Sequence, residues 1–150
     1  MATVTGITPA GVTALIAELG PSGKELAYAE VSTEQSGIGG TLTDITGLTI
    51  TFTVGTRPVH VESYSPVVYA SAAPTNILLC ICDGAGTVKK QTGFYFNNTL
   101  DSRFVIVRER ITAAGTYTRK LRAYRNVGSG NIFHGINDPI ITSSIRAVEL

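Results

Sequence analysis

Residues 42–61, LTDITGLTITFTVGTRPVHV, carry the alternation that decides the fold. Leu48, Ile50, Phe52 and Val54 alternate with Thr49, Thr51 and Thr53, so one face of an extended chain is apolar and the other small and polar. That period of two is the mark of a half-buried antiparallel strand. No residue in the stretch brings catalytic chemistry with it. The rest of the chain beyond Gly23 reads in the same way, as a shape-making and interaction protein.

Working outward, strand-like runs follow one another with turn signals between them: Glu25 to Thr33, Leu48 to Val54, Val59 to Ser71, Asn76 to Asp83, Thr87 to Asn97, Arg103 to Thr112, Thr116 to Asn126 and Ile140 to Glu149. Eight strands spaced by about a dozen residues predict a mainly β fold, an antiparallel β-sandwich or jelly-roll-like domain, over residues 23–150. Pro66 cannot donate to a ladder and marks an edge, a bulge or a break in the third run. Hairpin signals stand at Asp83 to Gly86, Ala113 to Gly115 and Gly128 to Gly130. Residues 1–22 form an N-terminal arm with one short helix. Thr8 caps it, Pro9 fills its first turn, Val12, Leu15, Ile16 and Leu19 make its apolar stripe, and Gly20 and Pro21 stop it. The stripe docks either on the protein's own sheet or on a neighbouring subunit.

The composition agrees with an ordered β protein. The chain has 150 residues, of which 43% are hydrophobic and only 15% charged, with Thr, Ser and Gly making up the difference. A net charge of +1 gives no global reason to expect nucleic acid, an anionic membrane or an acidic substrate. No apolar run approaches the roughly 20 residues that span a bilayer, and MATVTGITPAG lacks the basic start and apolar stretch of a secretory signal. Folding in a cytoplasm is the expectation. Cys80 and Cys82, at i and i+2 on one strand, are placed poorly for a disulfide and read as small hydrophobes. Neither they nor His60 and His134 make a metal site, and no cofactor is implied.

The run NILLCICDG is apolar on both faces, with Ile77, Leu79 and Ile81 on one and Leu78, Cys80 and Cys82 on the other. A strand covered on both sides has this pattern. In a two-layer sandwich the second face needs a cover, either the N-terminal helix or another copy of the chain, and this is the physical reason to expect a homo-oligomer. Val12, Leu15, Ile16, Leu19, Leu78 and Cys80 are therefore the candidate subunit or particle contacts.

Little else suggests chemistry. The DGAGT turn at Asp83 to Thr87 lacks the lysine and following helix of a phosphate loop. Ser63, His60 and Asp44 have no nucleophile elbow around them. Glu62 and Asp101 are a carboxylate pair that nothing recommends. The local anomaly is basic: Arg103, Arg108, Arg110, Arg119, Lys120, Arg122 and Arg125 cluster on two neighbouring strands, with Tyr117 and Tyr124 interleaved. Such a cluster is a solvated face or subunit contact, or else a glycan or nucleic-acid surface. Tyr95, Tyr117 and Tyr124 are the candidate sugar platforms.

Four segments resemble a known family. The opening MATVTGIT looks like the start of many small structural and minor tail proteins of tailed bacteriophages. Residues 26–61, LAYAEVSTEQSGIGGTLTDITGLTITFTVGTRPVHV, are similar to a β domain that recurs in their virion proteins. Residues 113–135, AAGTYTRKLRAYRNVGSGNIFHG, and the terminal SSIRAVEL look like that domain's closing strands. The resemblance implies a non-enzymatic virion component, a jelly-roll-like and often trimeric sandwich carried as a capsid decoration or tail appendage. Its partners would be itself and other virion proteins. Such domains often end longer tail proteins, whereas here the domain is nearly the entire chain. The alternative is a receptor-binding module for a host-surface carbohydrate.

Overall fold

The computed structural model describes residues 23–98, 102–135 and 137–150. These residues form ten strands: β1 (Glu25–Val31), β2 (Gln35–Ile38), β3 (Thr43–Val54), β4 (Val59–Ala70), β5 (Thr75–Asp83), β6 (Val88–Phe96), β7 (Ser102–Ile111), β8 (Gly115–Gly128), β9 (Ile132–His134) and β10 (Ser143–Glu149). All pair antiparallel, in two sheets. Sheet A places β10 between β1 and β4, and β7 on the far side of β4. The short strands β9 and β2 continue that sheet beside the later half of β4. Sheet B has the order β3-β8-β5-β6.

The chain passes between the sheets at six of the nine connections between these strands, and the Asp83–Thr87 turn is a hairpin within sheet B. Its Asp83 N–H donates to Thr87 O, and the Asp83 carboxylate accepts from Thr87 N–H. The other two turns expected as hairpins are not hairpins. Residues 112–114 and 129–131 lead from one sheet to the other, because β7 and β9 belong to sheet A and β8 to sheet B.

Alternation builds the core. Leu48, Ile50, Phe52 and Val54 are buried while Thr49, Thr51 and Thr53 are exposed. They pack with Val59 and Val61 of β4, Ile77, Leu79 and Ile81 of β5, Val105 and Val107 of β7, Leu121 of β8 and Ile145 of β10. On the outside of β3 and β8, Thr51 and Thr118 hydroxyls meet at 2.9 Å, one rung from the Thr53–Thr116 pair. Strand β4 runs unbroken through Pro66, and the missing N–H shows as a register slip against β7 between Ser65 and Val68. Two short strands, β2 and β9, were not expected. They are the far halves of strands that break after Val31 and after His134, and their runs of four and three residues are too short to carry a readable period. No helix occurs among the described residues, and the arm bearing Val12, Leu15, Ile16 and Leu19 lies outside them.

Candidate functional site

The outer face of sheet A gathers polar and aromatic side chains from strands far apart in sequence. Register sets Tyr28, Arg146, Glu62 and Arg108 side by side across β1, β10, β4 and β7. The next row is Glu30, Ser144, Tyr64 and Ile106. Glu62 is the centre. Its Oε1 accepts from Arg146 Nε at 3.0 Å, and its Oε2 accepts from Arg108 Nε. Partial burial pushes its carboxyl up, but the hydrogen bonds from Arg146 and Arg108 more than reverse this, so it ionises below the usual carboxylate range. The Tyr28 hydroxyl donates to Glu30, and that bond, with a smaller contribution from burial, raises its pKa.

Tyr28 is 48% exposed, Tyr64 40% and Phe104 58%, which is unusual for rings on a folded sheet. Tyr64 and Phe104 meet edge to face with centroids 5.1 Å apart. Between Tyr28 and Tyr64 lies a concavity of about 250 Å³, floored by Glu62, Ser144 and Arg146. A second concavity, of about 370 Å³, opens where Asp83, Lys89, Tyr117 and Arg119 meet. Its charges are already paired, Lys89 with Asp83 at 2.8 Å and Arg119 with Glu109.

The residues singled out from sequence scatter. Tyr117 turns inward, stacks on Phe52 with centroids 6.2 Å apart, donates to Ala113 O and carries Arg119 over its ring at 5.2 Å. It is a packing residue. Tyr95 and Tyr124 are on the outer face of sheet B, in neighbouring rows beside Leu78. The three tyrosines do not share a surface.

The basic cluster also divides, because β7 and β8 are in different sheets. Arg108 serves Glu62 on sheet A. Arg119 makes a bidentate pair with Glu109 inside the sandwich, at 2.7 and 2.8 Å. Lys120 and Arg122 both pair with Asp44, and Arg125 donates to Ser129 O and Gly130 O.

The second face of β5 has its cover within the chain. Cys80 and Cys82 are free and fully buried. Arg122, opposite Cys80, spans the sheet from Leu42 O to Gly86 O. Both cysteines are thus closed off from water within the chain itself. Burial pushes the Cys80 thiol up to about 11. Leu78 is half-buried and lies against Gly93.

Ser63, His60 and Asp44 do not converge: Ser63 points into the core, His60 belongs to the outer face of sheet A, and Asp44 is on sheet B. Asp101 lies outside the described residues. A buried dyad does exist, Ser65 Oγ to His134 Nε2 at 2.8 Å, but both residues are closed off from solvent and no carboxylate orients the ring. Burial lowers the His134 pKa to about 4. Among the described residues no three His, Cys, Asp or Glu side chains are grouped to hold a metal.

Sequence reasoning missed Tyr28, Tyr64, Ser144 and Arg146. The signal was there, since Tyr28 and Tyr64 fall on the solvent phase of their strands, but without strand order nothing brings residues 28, 62–64 and 144–146 together.

Compared with known proteins, the chain matches no family model and no curated sequence.

Proposed function

We propose that the protein is a non-enzymatic virion component of a tailed bacteriophage, a homo-oligomeric and trimeric jelly roll held on the particle as a capsid decoration or tail appendage. The observation that carries this reading is the strand order. Joining β1 with β2 and β9 with β10 leaves eight strands in two four-stranded sheets, and the chain shuttles between them as two Greek keys do in jelly rolls. The same segments that resemble phage virion domains, 26–61 and 113–135, supply β1 to β3 and β8 to β9. The described polar clusters are engaged in internal pairs, which supports a structural role over a catalytic one.

The loop at 135–142 supports assembly. Ile140 is 88% exposed and Ile141 36%, held out by a turn in which the Ile140 N–H donates to the Asp138 carboxylate at 2.8 Å. Two adjacent exposed isoleucines are a contact surface awaiting a partner. A decoration protein would act by cementing, since a standard interface of about 1,600 Å² per contact adds cohesion to a shell under pressure. The test is mass by light scattering behind a sizing column, followed by sedimentation with purified phage capsids and tails. A trimer that co-sediments with either is expected. A strict monomer at micromolar concentration with no affinity for capsids or tails would sink the reading.

A further inference from the structure

We propose that the concavity between Tyr28 and Tyr64 on sheet A is a binding site for a neutral hexose-containing glycan. The site lies on the face of one chain, so the inference does not rest on the virion reading.

The geometry carries it. Tyr28 and Tyr64 stand on β1 and β4, two strand spacings apart and one row offset, which separates their Cα atoms by roughly 12 Å. Rings at that separation can flank a single sugar ring or the junction of two. The half-open concavity of about 250 Å³ is below the usual range for drug-sized ligands and is of the size of one sugar ring. A pyranose has an apolar C–H face that packs on an aromatic ring and a hydroxyl rim that needs donors and acceptors together.

The floor supplies both. Arg146 has more N–H groups than Glu62 uses, Glu62 has a further lone-pair site, and the Ser144 hydroxyl lines the same space. Charged partners make the strong hydrogen bonds. They are also held in place by one another before any ligand arrives, which removes an ordering cost from binding.

At the concavity Arg146 and Arg108 are matched by Glu62 and Glu30, with Arg110 one row further out beside His60, so no unmatched cation lies at the site itself to favour a sialic or uronic acid. A second copy of the chain suits this face less well. It would bring the Glu62–Arg108–Arg146 group against its own copy and strip water from charges that already pair with one another.

The experiment uses the full-length chain on an array of neutral hexose oligosaccharides, with sialylated and uronic-acid oligosaccharides beside them, followed by titration calorimetry with the neutral oligosaccharide bound best. Binding to a neutral oligosaccharide is expected. Tyr28→Ala and Tyr64→Ala should each weaken it about tenfold or more, the effect of removing one stacking platform. Tyr64→Phe keeps the ring and should retain most of the affinity, and Tyr95→Ala on the other sheet should change nothing. Circular dichroism confirms that each variant is folded. The inference is overturned if no saccharide is retained, if acidic sugars alone are bound, or if both alanine variants bind like the wild type. It is overturned equally if those variants fall to a smaller mass by light scattering while saccharide binding is unaffected, which would make the face a subunit contact.

Discussion

Arg119 and Glu109 show what one residue pair contributes to this sandwich. Both are nearly closed off from water, at 5% and 8% exposure, and they join β8 of one sheet to β7 of the other. The hydrogen bonds that the Arg119 guanidinium donates to Glu109 keep it charged, raising its pKa against the cost of burial. In Arg119→Ala the carboxylate is left buried without a partner. The expected loss is about 3–5 kcal/mol, or roughly 10 °C in Tm, read by urea and thermal unfolding. His134 makes the fold sensitive to acid. Its neutral ring is buried with a pKa lowered to about 4, whereas the unfolded chain takes up that proton near 6.5. Between those values the unfolded state binds more protons. Stability is therefore full above pH 6.5 and is lost as pH falls toward 4, by about 3 kcal/mol in all. Urea midpoints measured from pH 7 to pH 4 should fall, and the part of the slope due to this group should vanish in His134→Leu.

At the scale of elements, the crossings between sheets matter more than the strands they join. Gly128 ends β8 with φ +102, and a Cβ there would meet Thr75 Cα at 2.8 Å as well as Pro74 O. Gly128→Ala should cost about 2 kcal/mol or more, while Gly39→Ala, with open space around it, should stay within about 0.5 kcal/mol; chemical unfolding of the two variants decides this. What could be read in the sequence follows the same division. The alternation of Leu48 to Val54 predicts its own burial, because a strand's two faces are set by local geometry. The partner of a strand is not local. Arg122 lies 40 residues from Cys82, so its place across the cysteines of NILLCICDG could not be read from the sequence, which offered the N-terminal helix or another copy as the cover. Arg108 and Arg119 are neighbours in sequence but sit in different sheets, since residues 112–114 cross the sandwich. The Tyr28–Tyr64 concavity draws on three distant segments, and register alone assembles it.

At the scale of the whole molecule, Ile140 is the most exposed large apolar side chain among the described residues. Ile140 and Ile141 project from the loop that interrupts β9 and β10, away from the sheet faces. In Ile140→Asp the fold should be unchanged, since the side chain touches little. The oligomer should nevertheless fall to a lower mass by light scattering at micromolar concentration, and an unaltered mass would move the contact elsewhere. The two ends of the described fold share one corner. Gly23 N–H donates to Glu149 O at 2.8 Å, and Glu149 N–H to Lys24 O at 2.9 Å. β1 and β10 run antiparallel from that corner as direct neighbours. Tension applied between the two ends would thus open the β1–β10 ladder one rung at a time, like a zipper, and tension between either end and the opposite pole would be shared by many rungs in shear. A domain wired this way resists load passing through it from pole to pole far better than load that pulls its two ends apart.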